Sequence, residues 1–271
     1  MTKPQLKTYV PDKIKLQHNR KTGEAGTIDI LRGCKGCELK NAPCYASKGA
    51  KRTGIDFFQP VRREFDKSLL ERQLKNYNID WVRIGCISDP SLDWETTCKV
   101  TELVRAAGKT PVIITKCFNK LKETQLKRLA DVEAHLQISI CGMTPKNSII
   151  KREHIAINAM KAGIHTRWRI NSARWKPDGR ADINQRNLIS WAKGFNLLII
   201  DTPLRLFQTS PFWKHVDQTK YHRHISPISG KKDNQRTAGL VIPDAYACFS
   251  TCADGPHDND PVGCPHQCVT R

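Results

Sequence analysis

Six short apolar runs, the later ones recurring roughly every 30 residues with a helix-patterned segment in each gap, constrain this chain more than anything else in it. They are Thr27 to Leu31, "WVRIGCI" (81–87), "TPVIITKC" (110–117), "AHLQISICG" (134–142), "HTRWRINSA" (165–173) and "NLLIIDT" (196–202). Between them, "VRREFDKSLLERQLKNY" puts Val61, Phe65, Leu69, Leu70, Leu74 and Tyr77 on one helical face, and "WETTCKVTELVRAAG" does the same with Val100, Leu103, Val104 and Ala107. Strand-helix alternation of this kind builds successive right-handed βαβ units and therefore a parallel sheet. The expected fold is α/β, a partial (β/α)6 TIM-like barrel over residues 1–205. A Pro-, His- and Lys-rich, cysteine-bearing extension follows over 206–271.

Loops at the carboxyl ends of parallel strands are where such folds bind ligands. The polar and thiol residues of this chain gather there. The first run opens into "GCKGCELKNAPCYAS", with Cys34, Cys37 and Cys44 in a C-x2-C-x6-C arrangement. Cys86, Cys117 and Cys141 end the next three runs, Ser88-Asp89 follows the second, Asn171-Ser172 the fifth and Asp201-Thr202 the sixth.

The chain carries 11 cysteines and begins with "MTKPQLKTYVPDKIKLQHNR", which resembles no signal peptide, and no window is apolar enough to span a bilayer. A soluble, cytoplasmic protein with no membrane partner is expected, and reduced thiols there indicate metal more often than disulfides. Three readings of the first trio compete: a zinc site, which needs a fourth ligand that this loop lacks; an iron–sulfur cluster with one open iron; and unrelated thiols.

The segments "NRKTGEAGTIDILRGCKGCELKNAPCYAS" and "RIGCISDPS", with the strand-helix order to about residue 205, resemble the radical SAM superfamily. The arrangement looks closest to phage-encoded radical-SAM-like proteins of unassigned function whose cysteine motif ends in Cys-Tyr-Ala. The superfamily's usual spacing is C-x3-C-x2-C, from which this chain departs. The resemblance implies that Cys34, Cys37 and Cys44 hold a [4Fe-4S] cluster whose open iron chelates S-adenosyl-L-methionine (SAM). Reduction, by an electron donor such as flavodoxin or ferredoxin, then yields a 5′-deoxyadenosyl radical that abstracts hydrogen from a substrate. It further implies SAM-binding groups on the same rim. Ser88 and Asp89 are candidates for the ammonium group, Ser139 and Arg169 for ribose or carboxylate, and Asn171 for adenine or ribose. Asp89 before Pro90 reads equally as a helix-capping or turn residue, and a strand serine as one simply hydrogen-bonded in place. Cys86, Cys117 and Cys141 are candidate substrate-facing thiols, with a small apolar filler as the plainer reading of each.

The C-terminal "CFSTCADGPHDNDPVGCPHQC" offers Cys248, Cys252, Cys264 and Cys268 as two i,i+4 pairs in a Gly/Pro-rich stretch without a core of its own. This reads as a second metal site, an auxiliary [4Fe-4S] cluster or zinc.

The formal net charge of +19 favours polyanions, with nucleic acid or a nucleotide as the expected partner or substrate. "WKHVDQTKYHRHISPISGKKDNQR" (213–236) interleaves aromatic and basic residues, a pattern that suits base stacking and phosphate contact and also suits an ordinary exposed loop. Two rivals to an enzyme follow: a non-catalytic zinc-containing nucleic-acid-binding protein, and a cluster protein for redox sensing or electron transfer. No Walker loop, serine triad or His-Glu zinc-hydrolase motif offers competing chemistry.

Overall fold

The computed structural model describes residues 12–17, 26–36, 47, 56–204, 206, 210–225, 232–237, 241–242 and 245–247. All six apolar runs contribute strands to one sheet. These are β2 (Thr27–Ile28), β5 (Trp81–Ile84), β6 (Thr110–Thr115), β7 (His135–Ile140), β8 (His165–Ile170) and β9 (Leu198–Asp201). They lie side by side in chain order, every neighbouring pair parallel, with β1 (Leu16–Gln17) added antiparallel to β2 at one edge. The order never reverses, so the sheet lacks the switch point of a doubly wound fold, and right-handed crossovers put successive helices on one face.

The helices are α1 (Lys67–Lys75), α2 (Trp94–Ala106), α3 (Glu123–Asp131), α4 (Lys146–Lys161) and α5 (Arg180–Gly194). Their apolar sides meet Ile84, Ile113, Leu136, Ile138, Trp168 and Ile170 in the main core. The Trp168 ring lies 5.0 Å from that of Trp191 on α5. Strand alternation puts His135, Gln137 and Ser139 of β7, and Arg167 and Arg169 of β8, on the opposite face. There Arg169 donates to Gln137 Oε1 at 2.9 Å.

The first helix starts later than its periodicity predicts. Asp66 caps α1 by accepting from the Leu69 backbone N–H at 2.9 Å. The residues before it are spent differently: β4 (Val61–Arg62) pairs antiparallel with β3 (Leu31–Arg32). Val61 and Phe65 therefore precede the helix they were expected to join. The C-terminal third also reaches into the sheet, because β12 (Tyr246–Ala247) pairs parallel with β9. Asp201, at the end of β9, is fully buried and accepts from Ser172 Oγ and from the backbone N–H groups of Val241 (2.7 Å) and Ile242 (2.9 Å). Burial raises its carboxyl pKa against the pull of those bonds. Residues beyond 205 thus complete the sheet that the 1–205 core begins.

His135 titrates far from its usual range. Burial, then the Arg167 guanidinium and His165 (ring centroids 4.8 Å apart), push it down to about 4. The unfolded chain takes up that proton near pH 6.5, so the unfolded state binds more protons between those values and stability rises with pH. The contribution is complete above about pH 6.5 and is lost as pH falls towards 4, roughly 3 kcal/mol in all. Urea midpoints of wild type and His135→Gln at pH 7 and pH 4.5 check this: the wild type should lose more stability across the interval than the variant.

Candidate functional site

The candidate site is the rim formed by the carboxyl ends of β2, β5, β6, β7 and β8. Its first wall is the start of the cysteine loop. After β3 the chain turns at Gly33 (φ +85°), where a Cβ would lie 2.6 Å from the Phe57 carbonyl oxygen. That close approach lets the Cys34 N–H donate to the same oxygen at 2.7 Å. The β3–β4 pair and this bond clasp the base of the 34–57 segment, with Cys34 half-buried at its entrance. Cys37 and Cys44 lie outside the described residues, as do Cys248, Cys252, Cys264 and Cys268. Among the described residues no three His, Cys, Asp or Glu side chains converge as a metal site, and no described cysteine is in a disulfide.

The second wall is organised by Asp29, one residue beyond β2. Its Oδ1 accepts from three successive backbone N–H groups, of Cys86 (2.9 Å), Ile87 (2.8 Å) and Ser88 (2.9 Å), and from Ser88 Oγ (3.1 Å). Consecutive N–H groups pointing to one place make an anion-binding nest, and here a side-chain carboxylate fills it. Asp29 is fully buried, and its Oδ2 has no hydrogen-bond partner among the described residues. Gly85 starts this turn at φ +90°, where a Cβ would lie 2.5 Å from the Pro90 ring and 2.7 Å from the Ile114 carbonyl oxygen. Asp29 thus ties the strand that feeds the cysteine loop to the loop after the next strand. Sequence reasoning passed over it, although a lone carboxylate inside the apolar run "TIDIL" was a usable signal.

Asp89 is committed to a different task. It caps the short 3-10 turn Pro90–Asp93. Its Oδ1 accepts from Ser91 N–H (3.0 Å), Ser91 Oγ (2.6 Å) and Thr115 Oγ1 (2.6 Å), and its Oδ2 from Lys116 N–H (2.7 Å). Three donors on Oδ1 and one on Oδ2 lock the β5 loop to the end of β6.

The three strand-end thiols part company. Cys86 is half-buried and shares Asp29 with the cysteine-loop strand. Cys117 is a member of the apolar core, 1% exposed and at φ +52°. Burial, then the Asp89 carboxylate, pushes its thiol up to about 12, which leaves it a protonated filler. Cys141 is also buried, and its sulfur accepts from Thr144 Oγ1 at 3.6 Å. Iodoacetamide at pH 8 should therefore label Cys86 in the folded protein and leave Cys117 unmodified until the chain is denatured, since Cys117 is buried and its raised pKa keeps the thiol protonated. Peptide mass spectrometry reads the difference; equal labelling of both would contradict the placement of Cys117.

Ser139 and Arg169 are cross-strand partners on the sheet face away from the helices, both buried. Asn171, half-buried just past β8, donates through Nδ2 to the Ile140 carbonyl at 3.3 Å. Cys86, Ser88, Ser139, Arg169 and Asn171 thus lie at or next to the carboxyl ends of β5, β7 and β8, whereas Cys117 is withdrawn into the core. No described helix is long and apolar enough to cross a membrane. No protein-family model matches this sequence, and no curated protein does.

Proposed function

We propose that this chain is a radical SAM enzyme, a partial (β/α)6 barrel in which Cys34, Cys37 and Cys44 hold a [4Fe-4S] cluster. The observation that carries the reading is the clasped start of the cysteine loop at Cys34, six residues past the end of the first parallel strand, together with Asp29, which ties the end of that strand to the Cys86–Ser88 turn. The donor set fits: thiolates are the ligands iron–sulfur clusters take, and three of them leave one iron for SAM. When bound, cluster and SAM together supply a carbon-centred radical able to remove a hydrogen atom from substrate.

The chain's own residues do the positioning. Asp29 fixes the Cys86–Ser88 turn against the end of the strand that feeds the cysteine loop. Ser88 donates to Asp29 and keeps lone pairs with which to accept an ammonium proton of SAM. Asp89 holds the turn in place, and the second lone pair of its Oδ2 is what it offers an ammonium proton of SAM. Ser139, Arg169 and Asn171 offer polar contacts to the ribose, carboxylate or adenine. The strongly basic surface suits an acidic electron donor such as flavodoxin or ferredoxin. A second metal, iron–sulfur or zinc, is assigned to Cys248, Cys252, Cys264 and Cys268.

The test is anaerobic reconstitution with iron and sulfide, followed by dithionite and SAM, with 5′-deoxyadenosine measured by chromatography. Release that needs both reductant and cluster supports the enzyme; a fully loaded cluster with no release would leave a redox or electron-transfer protein.

A further inference from the structure

The hairpin β10 (Tyr221–Ile225) and β11 (Lys232–Thr237) is a two-stranded antiparallel ribbon that pairs with no other strand among the described residues. Its root is fixed to the rim of the candidate site. The Arg174 N–H donates to Tyr221 Oη at 3.3 Å, the Asp217 N–H to the Arg174 carbonyl at 2.8 Å, and the Lys176 N–H to the His215 carbonyl at 2.9 Å. Residues 174–176 belong to the loop that follows β8. Tyr221 is buried in a small second core with Trp175, Phe212 and Val216, its ring edge-on to Trp213.

Beyond that root the ribbon turns cationic. Residues 213–237 carry Lys214, Lys220, Arg223, Lys231, Lys232 and Arg236 against Asp217 and Asp233. Asp217 is occupied by Thr219, which donates to it through both backbone N–H and hydroxyl. Register pairs His222 with Arg236 and His224 with Asn234. Alternation sets these four positions on the side opposite the one Tyr221 buries, and His222 is exposed. The register shifts between His224 and Ile225, leaving Asp233 as an extra residue in β11, and a bulge of this type increases the twist of a ribbon.

We infer that this ribbon is a docking arm for duplex DNA. A two-stranded ribbon is one of the two elements the B-form major groove admits, and five or six residues at about 3.3 Å each span roughly 17–20 Å of it. Arginine and asparagine at alternate positions are the side chains that read guanine and adenine edges there, while the flanking lysines meet phosphates. The deep, narrow major groove of A-form RNA does not admit such a ribbon. Because the arm is rooted on the rim that carries Cys86, it would bring DNA to the mouth of the proposed active site. That last step rests on the radical SAM reading; the binding does not.

Fluorescence anisotropy with a labelled duplex DNA of about 20 base pairs, titrated at several salt concentrations, tests it. Wild type should bind the DNA duplex more tightly than an RNA duplex or a single strand of the same length. The variant Arg236→Gln should lose at least about 10-fold in affinity and relax the base preference at the position it reads. Lys220→Gln/His222→Gln, at exposed positions, should weaken binding in the same direction without altering the thermal transition. Unchanged affinity in both variants, or preference for RNA or single strands, would overturn the arm. The Cys34→Ala/Cys37→Ala/Cys44→Ala protein should bind DNA as wild type does, which separates failure of this inference from failure of the catalytic one.

Discussion

Replacing Cys34, Cys37 and Cys44 together by alanine should remove one cluster's worth of iron, about four per chain, and lower 5′-deoxyadenosine formation by more than about 100-fold. Metal held by the tail cysteines, as proposed above, should remain largely in place. The expectation follows from how the loop is held. Its base is secured by β3–β4 pairing and by the Cys34 N–H bond to Phe57, neither of which uses a sulfur atom. The variant should therefore fold as wild type does, and the loss should be one of metal and chemistry. Iron assay alongside thermal unfolding checks both halves. A triple variant that keeps its full iron and its activity would show that the first cysteine loop is not the catalytic centre.

The largest effect on stability is expected at Asp29. Asp29→Ala takes the acceptor from three successive backbone N–H groups and from Ser88 Oγ, at a position with no solvent exposure. Each buried donor left without a partner costs about 1–3 kcal/mol, and the Cys86 and Ile87 groups, only partly buried, lie at the lower end. A total of about 3–6 kcal/mol corresponds to a fall in Tm of about 5–11 °C in a chain of this size. Asp29→Asn keeps an acceptor oxygen and loses the charge assistance, so about 1–2 kcal/mol is expected. Thermal or urea unfolding of the pair distinguishes a carboxylate that organises the turn from one merely enclosed by it. A loss below about 1 kcal/mol in Asp29→Ala would contradict the organising role.

The strands of the sheet were readable because each is a β-rich apolar run bounded by turn residues, and the order followed from the single handedness of βαβ crossovers. Their ends were not. "WVRIGCI" stops as a strand at Ile84 because Gly85 turns the chain at φ +90°, and "TPVIITKC" stops at Thr115 with Cys117 folded back into the core. Two-residue strands such as β3, β4 and β12 have no periodicity to detect, and they exist through long-range pairing alone. The ribbon at 221–237 was hidden for another reason: His, Arg, Lys and Asn alternate there without an apolar face, so composition marked the segment as basic without marking it as strand. At the rim, the thiols and serines stood out by type, whereas the division of labour between Asp29 and Asp89 depends on which N–H groups face each carboxylate. Spacing carries no trace of that.

The most direct test of the central claim is EPR of the anaerobically purified, dithionite-reduced protein with and without SAM, on samples of measured iron, sulfide and zinc content. The account predicts about four to eight irons per chain and a cluster signal that shifts when SAM is added, as expected for an open iron that binds it. Zinc alone, with no iron and no signal after reconstitution, would contradict it, and would make Cys34, Cys37 and Cys44 part of a structural clip in a basic, DNA-binding protein.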